Sequence, residues 1–487
     1  MPRFPDAMPT SALARRLTTR PRRAFNALLT ATLLSVAGDG ITQIGVPWFV
    51  LMSTGSPGKA GVVALCMMLP AAAGSLLGGT VVDRGGARRV SVVSDAACCV
   101  VVMTVPVLQL TGSLHFWELC ALMALAGLLH APGNTARAVL LPPLAGRSQL
   151  PLSRAAGLSA GAARAASIIG SAAGGVLVTA MGAGNALFVD AGTFAASAVL
   201  IAAGIRRSDL ATTGQAPRAQ SGRPSDGYRR DLRDGLRLVS ATPLLLGLAV
   251  LTLLAQGLDQ GWTGVILPVD VRDKLHSVLV LGTAESAFAV GALVGALAYS
   301  SLAERLPRWP VFTLGFIIVG IPRFAVAAFT ASPAPLVSIM AIEGFACGPL
   351  NPIMISVTYR LTPEHMRGRA IGTMTATALA ATPFGALAAG TLIDSIGLTT
   401  TTAVFGCVYL AVTLIPAVFP LYRKMSEHDE HTSTSATSPD SGNLNTGAGM
   451  AITFSSSRRC PVPARAGPRV PARCASSARC RRPRARA

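Results

Sequence analysis

The sequence predicts an all-α membrane protein of twelve transmembrane helices, arranged as two similar six-helix halves. The first supporting observation is composition: of 487 residues, 51% are hydrophobic and 13% are charged, which is too apolar for a water-soluble protein of this length. The second is that the apolar residues form runs of about 20, the length of a helix that crosses a bilayer and satisfies its own backbone hydrogen bonds. The third is a partial internal repeat.

Twelve apolar runs follow one another along the chain, with boundaries placed to within about three residues. They cover residues 25–52, 60–82, 90–111, 115–138, 156–180, 184–205, 243–269, 278–303, 309–330, 335–358, 368–393 and 399–422. The predicted domains are a basic N-terminus (1–24), an N-terminal six-helix bundle (25–205), a linker (206–242), a C-terminal six-helix bundle (243–422) and a polar, then Arg/Pro-rich, tail (423–487).

Several residues of the first half recur in the second half at a nearly constant spacing. The matches are Gly170 with Gly385, Gly175 with Gly390, Gly182 with Gly397, and Pro132-Gly-Asn134 with Pro349-Leu-Asn351. The glycine pairs are 215 residues apart (385−170, 390−175, 397−182) and the proline pair is 217 apart (349−132). This favours two halves of common origin, as in transporters built from repeats. A chance alignment of glycine-rich helices is the alternative.

Basic residues predict the orientation in the membrane. Alternate loops share a high arginine content, with Arg84, Arg88, Arg89, Arg147, Arg154, the 206–242 segment, Arg305, Arg308, Arg360, Arg367 and Arg369. The loops on the other side offer only Lys59, Arg272 and Lys274. Because cytoplasmic loops are enriched in Lys and Arg, both termini are predicted to be cytoplasmic. The strong preference for Arg over Lys suggests a GC-rich bacterial genome, and therefore a bacterial plasma (inner) membrane.

Two segments lie outside the predicted spans. The linker contains Tyr228–Val239, in which apolar residues follow a helical period opposite arginines. This helix is predicted to lie along the membrane surface, and a solvated linker helix is an equal alternative. The tail is too polar to fold by itself. Its arginines could hold anionic lipid or nucleic acid, but an unconstrained extension is the simpler interpretation, so no nucleic-acid partner is expected.

Missing motifs narrow the function further. Gly55-Ser-Pro-Gly58-Lys59 does not have the spacing of a phosphate-binding loop, so direct use of ATP is not expected. No nucleophile elbow or zinc-protease motif is present. The nine cysteines include no CxxC pair, so neither disulfides nor a metal site is predicted. The sequence therefore predicts no enzyme, no cofactor and no metal, and any energy must come from an ion gradient.

Ionisable residues inside the predicted spans are the candidates for coupling transport to that gradient. Such side chains are costly in a bilayer, and each is therefore a functional candidate. They are Asp39, Asp95, Arg137, Arg164, Asp190, Asp259, Glu285, Arg323 and Glu343. Asp39 lies near the middle of its span, where it could bind and release protons as access alternates, or could form structural hydrogen bonds only. A structural role is favoured for Asp95, Asp190 and Arg323, and by a smaller margin for the others.

A charged loop between spans two and three carries a family resemblance. The segment Gly79-Thr-Val-Val-Asp83-Arg84-Gly-Gly86-Ala-Arg88-Arg89 resembles the loop between helices two and three of the major facilitator superfamily. Further stretches resemble its drug:proton antiporter group, which includes macrolide-efflux and enterobactin-exporter proteins. They are Ser35–Gly40, Pro47–Val50, Thr54–Pro57, Leu69-Pro70, Asn134–Arg137, Asp190–Phe194 and Asp234–Arg237. The resemblance covers about residues 25–422.

The resemblance implies two sets of functional residues. In this superfamily helices 1, 2, 4, 5, 7, 8, 10 and 11 line a central cavity, so the residues expected to face it are Asp39, Arg137, Arg164, Asp259, Glu285 and Glu343. The charged loop would act as a cytoplasmic gate, in which Asp83 meets the start of helix eleven and Arg367 or Arg369. Gly79 and Gly86 would permit close approach and a tight turn.

Other parts of the gate are less clearly assigned. Arg84, Arg88 and Arg89 could add ion pairs, although positive-inside anchoring also explains them. The second-half counterpart, residues 303–308, has Pro307 at the second glycine position, so a weaker gate is expected there.

The predicted function is proton-coupled export of a lipophilic small molecule by a membrane-embedded monomer. A lipophilic substrate is favoured because the spans contain few Asn and Gln, whereas a sugar carrier needs many hydrogen-bonding groups in its cavity. An importer of the same fold and a receptor or scaffold that does not transport are the alternatives, and Na⁺ could replace the proton.

Overall fold

The computed structural model describes residues 10–206, 224–303, 305–330, 332–423 and 425, with side chains from residue 22 in the first helix and residue 233 in the linker. Within these residues, twelve helices are long and apolar enough to cross a membrane. They are α1 (Arg22–Thr54), α2 (Pro57–Gly85), α3 (Ala87–Leu110), α4 (Phe116–Arg147), α5 (Leu152–Met181), α6 (Ala183–Gly204), α7 (Pro243–Leu275), α8 (Val278–Leu302), α9 (Arg308–Phe329), α10 (Pro333–Leu361), α11 (Arg367–Ile396) and α12 (Leu398–Val418).

The predicted fold class is confirmed, and eight of the twelve helices, α1 to α5, α7, α10 and α11, are longer than the predicted spans. The helix that contains α1 already begins at Thr10, and α4 continues to Arg147, past the predicted end at residue 138. Hydropathy detects only the apolar part of a helix. The backbone hydrogen bonds continue beyond it into the polar boundary of the membrane.

Four helices of the second half are interrupted. Proline lacks a backbone N–H and breaks the helical hydrogen-bond ladder, and α9, α10 and α11 are each divided into two helical segments beside Pro322, Pro349 and Pro383. In α7, π-helical turns at Trp262–Ile266 and Val271–Leu275 take the place of regular α-helix. Such turns occur frequently at functional sites.

The linker helix, Pro224–Ala241, is the part of 206–242 that the structure describes as helical. It packs against the beginnings of α7 and α11. Of the predicted tail, residues 424 and 426–487 fall outside the described residues, as do the first nine residues of the chain.

The two halves contact each other mainly through two pairs of helices, α2 with α11 and α5 with α8. In the first pair, the carboxylate of Asp394 accepts hydrogen bonds from the Ser56 hydroxyl and the Gly58 N–H at 2.7 and 3.0 Å. In the second pair, Gly175 and Gly282 bring two backbones into direct contact, which any side chain would prevent.

These contacts lie toward one end of the helices. We call this end the opposite side, and the end with the arginine-rich loops the arginine-rich side. On the arginine-rich side, a Cβ added at Gly79 of α2, Gly157 of α5 or Gly368 of α11 would have no other atom within 4 Å. The halves therefore meet on the opposite side and separate toward the arginine-rich side, leaving a gap between them.

Candidate functional site

Asp39 and His130 face each other in the middle of the first half. Asp39 lies near the midpoint of α1 and His130 near the midpoint of α4, and the Asp39 Oδ2 atom is 3.3 Å from the His130 Nε2 atom. The two side chains are 37% and 21% exposed. The imidazole contacts Phe194 edge-on at 5.6 Å. This acid–imidazole pair is partly accessible although it lies at the middle of the membrane span.

His130 was absent from the sequence candidates because a single histidine forms no motif. A signal was nevertheless present. His130, Asn134 and Arg137 have the spacing i, i+4, i+7, which places three polar side chains on one face of α4. The structure shows a contact along that face, since the Asn134 Nδ2 atom is 2.7 Å from the His130 Nε2 atom.

Arg137 makes four hydrogen bonds to three side chains at a deeply buried position. It donates two hydrogen bonds of 2.9 Å to both oxygens of Asp95, one of 3.1 Å to Ser35 and one of 2.7 Å to Asn134. The Ser197 hydroxyl donates to Asp95 at 2.6 Å. Arg137 and Asp95 are 5% and 1% exposed. These bonds join α1, α3, α4 and α6, and the bidentate pair supplies the partner that a buried charge requires.

Asp190 extends this network toward the opposite side. Its carboxylate accepts hydrogen bonds from Thr42 of α1 and, at 3.4 Å, from Thr193. Gly38 makes room for this contact, because a side chain there would overlap Asp190 and Thr193. We call the whole set the amino-half cluster; it consists of Ser35, Asp39, Thr42, Asp95, His130, Asn134, Arg137, Asp190 and Ser197.

The second half contains a cluster around Arg323. This arginine donates to Asp259 Oδ1 at 2.6 Å, and the Tyr409 hydroxyl donates to the same oxygen at 3.0 Å. Its guanidinium also lies 4.6 to 5.4 Å from the ring centres of Tyr409, Phe324 and Trp262. Arg323 is 2% exposed and Asp259 is 31% exposed. A buried cation enclosed by aromatic faces is stabilised by its partner carboxylate and by the rings.

Two glutamates complete this cluster. The helix break at Pro322 leaves backbone N–H groups without helical partners, and Glu343 Oε1 accepts one of them from Arg323 at 3.1 Å. Half-buried Glu285 of α8 has Arg323 and Asp259 as its charged neighbours. We call this set the carboxyl-half cluster; it consists of Asp259, Trp262, Glu285, Arg323, Phe324, Glu343 and Tyr409.

Several buried polar atoms of the clusters have no hydrogen-bond partner among the described residues. In the carboxyl-half cluster these are Glu343 Oε2, Arg323 Nε and Trp262 Nε1, and in the amino-half cluster His130 Nδ1. Each such atom costs about 1–3 kcal/mol of unfolding free energy. A proton or a ligand that satisfied one of them would bind favourably there. No group of three or more metal-binding side chains occurs in the described parts of the chain.

Arg164 is exposed within the membrane span of α5. Its charge interacts with Cys347 of α10, which belongs to the other half. A fully lipid-exposed arginine would be unfavourable, so this position is best explained by the gap between the halves. Of the six predicted cavity residues, the structure brings Asp259, Glu285 and Glu343 together, places Asp39 and Arg137 in the amino-half cluster, and leaves Arg164 apart from both.

The charged loop turns tightly between α2 and α3. Gly86 has a φ of 77°, a left-handed conformation that favours glycine. Arg88 donates to the backbone carbonyls of Ile205 and Ala202, so it caps the end of α6. Two carbonyls at a helix C-terminus are a favourable site for a cation.

The other predicted gate residues lie at the surface or bind residues outside the predicted gate. Asp83, Arg84 and Arg89 are exposed. At the start of α11, Arg369 binds Asp234 of the linker helix at 3.2 Å. Nearby, Arg367 binds Glu364 at 3.4 Å, and its guanidinium lies 5.6 Å from the centre of the Tyr359 ring.

Two membrane-embedded six-helix halves, open to one side and holding charged clusters between the helices, define a membrane transporter. Comparison with known families agrees. The Major Facilitator Superfamily model matches residues 28–260 and 249–479. The chain belongs to the major facilitator superfamily.

Its relatives include named exporters. The chain is 32% identical over 413 residues to the multidrug efflux pump Tap of Mycolicibacterium fortuitum, covering 84% of this chain and 98% of that protein. It is 26% identical over 389 residues to the enterobactin exporter EntS of Salmonella typhimurium, covering 77% and 86%. Among solved structures, the nucleoside transporter NupG has a TM-score of 0.68 at 13% identity, covering 81% of this chain and 98% of that one, which supports the fold alone.

Proposed function

We propose that this protein exports a lipophilic small molecule in exchange for protons, by alternating access, with its arginine-rich side in the cytoplasm. The observation that carries the proposal is an excess of acids over fixed bases inside the membrane. The amino-half cluster has three acids (Asp39, Asp95, Asp190) and one arginine (Arg137), and the carboxyl-half cluster also has three (Asp259, Glu285, Glu343) and one (Arg323). If every acid were ionised, each cluster would carry a charge of −2 (1−3), which a low-dielectric interior disfavours.

Proton binding would reduce this charge. Asp39 and Asp259 are the best placed to exchange protons, because each is partly exposed and each contacts a deeper cationic or titratable partner, His130 and Arg323. When the halves rock, the same carboxylates would face the other side of the membrane. Protons could then bind from one side and leave on the other, which is the requirement for antiport.

The direction and the substrate class are supported by the relatives. One relative is a multidrug efflux pump, almost the whole length of which is matched by this chain. Another is an enterobactin exporter. The spans of this chain offer few Asn and Gln side chains for hydroxyl-rich substrates, whereas an apolar site suits a lipophilic molecule. Both halves and both gates belong to one chain, so a monomer is sufficient for the cycle.

The gate would close on the arginine-rich side when the gap opens to the opposite side. We propose that Asp83 then meets the start of α11, where unpaired backbone N–H groups favour an anion. Arg367 and Arg369 would exchange their present partners for Asp83. The open space around Gly79 is compatible with such an approach.

The direct test is uptake of ethidium into everted membrane vesicles with an acidic interior. Wild-type vesicles should accumulate the dye, and dissipation of the pH gradient should release it. Replacement of Asp39 by Asn should lower gradient-driven accumulation by at least about tenfold, because the coupling free energies involved are typically 1–3 kcal/mol. The Glu118→Gln variant, which alters an exposed acid at the outer end of α4, serves as the matched control and should accumulate ethidium normally.

Other results would contradict the proposal in distinguishable ways. Accumulation only in right-side-out vesicles would indicate an importer. Binding without movement of any dye or drug tested would indicate a receptor or scaffold. Full activity of the Asp39→Asn variant would remove Asp39 from the coupling mechanism.

A further inference from the structure

Asn134 links the accessible and the buried parts of the amino-half cluster. Its Oδ1 atom is 2.7 Å from Arg137 Nη2, and its Nδ2 atom is 2.7 Å from His130 Nε2. A guanidinium has donors only, so the amide atom that faces Arg137 must be the oxygen. The NH₂ group of Asn134 must therefore face His130, and the arginine determines the orientation of the amide.

This orientation also determines the hydrogen-bonding state of His130. The Nε2 atom receives the Asn134 N–H and must be an acceptor, which places the proton of the neutral imidazole on Nδ1. Yet Asp39 Oδ2 lies 3.3 Å from the same Nε2 atom. An ionised carboxylate and an imidazole lone pair are both acceptors, so their contact is favourable only when a proton lies between them.

From this geometry we infer that His130 is a proton-binding residue of the amino half, and that Asn134 transmits its protonation state to Arg137. The inference rests on the proposed proton coupling. A proton that reaches Asp39 from the gap passes to His130: the Asp39 O–H bond breaks, the Nε2–H bond forms, and an imidazolium–carboxylate pair results. This step is a proton transfer only, in which no group is oxidised, reduced or released.

The new Nε2–H group cannot face the NH₂ group of Asn134, because both are donors. The amide turns over, so that Oδ1 accepts from His130 and the NH₂ group is set against the guanidinium of Arg137. Two donors then face each other, and the guanidinium must shift away from the amide. Arg137 then loses one of its hydrogen bonds and keeps those to Asp95 and Ser35. The lost bond lies within α4, but the displaced guanidinium strains the bonds that remain, which join α4 to α3 and α1. A proton bound at the middle of the membrane therefore weakens the packing between helices on the arginine-rich side.

The surrounding charges favour an imidazolium. Among the described residues, the ionisable groups around His130 are Asp39 of α1, Asp95 of α3, Asp190 of α6 and Arg137 of α4 itself. Three acids and one base leave an excess of negative charge around the ring. The edge-on contact with Phe194 holds the ring in place, so the change on protonation falls on the Asn134 amide.

Nitrogen NMR of the full-length protein, labelled with ¹⁵N-histidine, tests the first part of the inference. Subtraction of the spectrum of the His130→Gln variant identifies the His130 signals. The expected spectrum at high pH is that of a neutral ring with its proton on Nδ1, and it should change to that of an imidazolium between about pH 8 and pH 5. A ring protonated on Nε2 at high pH, or one that stays neutral throughout, would overturn the inference.

Two transport measurements test the coupling. One is accumulation of ethidium driven by a pH gradient, and the other is ethidium counterflow without a gradient. In His130→Gln and in Asn134→Leu, driven accumulation should fall by at least about tenfold, and counterflow should fall by no more than about twofold. The matched control is His115→Gln, which alters the exposed histidine that precedes the first residue of α4 and lies 3.5 Å from Glu118, and both activities should persist in it.

The outcomes separate this inference from the proposed function. If wild-type vesicles accumulate no ethidium under a gradient, the proposed function fails by itself. If the wild type is active but the His130 and Asn134 variants lose both activities equally, the two residues are structural. If the variants keep driven accumulation, they take no part in coupling, and either result overturns the inference.

Discussion

The two halves of the molecule both bury an arginine among acids, but they enclose it differently. In the amino-half cluster, Arg137 makes four hydrogen bonds to side chains on three helices. In the carboxyl-half cluster, Arg323 donates one side-chain hydrogen bond to Asp259 and otherwise contacts aromatic rings. Its Nε atom has no hydrogen-bond partner among the described residues.

This difference suggests a division of labour. A guanidinium with satisfied donors fixes its neighbours in one arrangement, and the amino-half cluster can change only through a proton-dependent switch such as the one inferred at His130. A guanidinium stacked on rings is held by less directional forces. With Glu343 Oε2 and Trp262 Nε1 also unpaired, the carboxyl-half cluster is the better candidate for contact with the transported molecule.

The largest effect should come from removal of the buried arginines. Arg137→Met leaves Asp95 buried without its charge partner, which should cost about 3–5 kcal/mol of unfolding free energy. Arg323→Met should cost less, since Asp259 is partly exposed and can be hydrated. Thermal unfolding of the purified variants in detergent, followed by tryptophan fluorescence, shows which of the two variants loses more stability.

A double variant controls for the volume change. Asp95→Leu combined with Arg137→Met replaces the ion pair by apolar side chains and should recover most of the lost stability, because such replacements are often neutral or favourable. Equal destabilisation by the two single variants would contradict the proposed difference between the halves.

The sequence predicted the fold well because the hydropathy of each span and the spacing of the repeated residues are visible in the sequence itself and require no knowledge of tertiary contacts. It also identified the charged residues of both clusters, since any ionisable residue within an apolar span is conspicuous. It did not predict their partners. Asp95 and Arg323 were expected to have a structural role and were not among the predicted cavity residues, and the structure pairs them with Arg137 and Asp259, which were. Pairing depends on helix rotation and depth, which a single sequence does not determine.

The uncharged members of the clusters were missed for a related reason. Tyr409 and Trp262 belong to apolar runs and look like ordinary core residues in the sequence. Only the break at Pro322, which brings Arg323 toward α7 and α12, gives them a polar function. The proline was visible in the sequence, but the direction of the resulting bend was not.

A smaller loss of stability is expected when the hydroxyl group that donates to an aspartate is removed from each cluster. Ser197→Ala removes a bond to buried Asp95, and Tyr409→Phe removes a bond to partly exposed Asp259. Each should cost about 1.5–3 kcal/mol of stability as a hydrogen bond to a charged group. Only Tyr409→Phe should also change the pH dependence of ethidium accumulation in vesicles, because Asp259 is accessible from the gap and Asp95 is not. The same change in both variants would argue that neither cluster is specialised.

The smallest effect concerns the arginine-rich side, where Arg369 binds Asp234 at 3.2 Å in the present conformation. Both side chains are 40% exposed, and exposed pairs contribute about 0–1 kcal/mol. If Asp83 competes for the same arginine when the gate closes, Asp234→Asn should raise the population closed on this side by up to about fivefold, and Asp83→Asn should lower it.

The measurement uses spin labels at Ser153 of α5 and Ser301 of α8, one in each half. Double electron–electron resonance between the two labels reports the distance across the gap. Because the two substitutions remove the same charge, a simple electrostatic effect would shift both populations in one direction. Opposite shifts are expected only if the two aspartates stabilise different states of the gate, and a shift in the same direction would exclude the exchange.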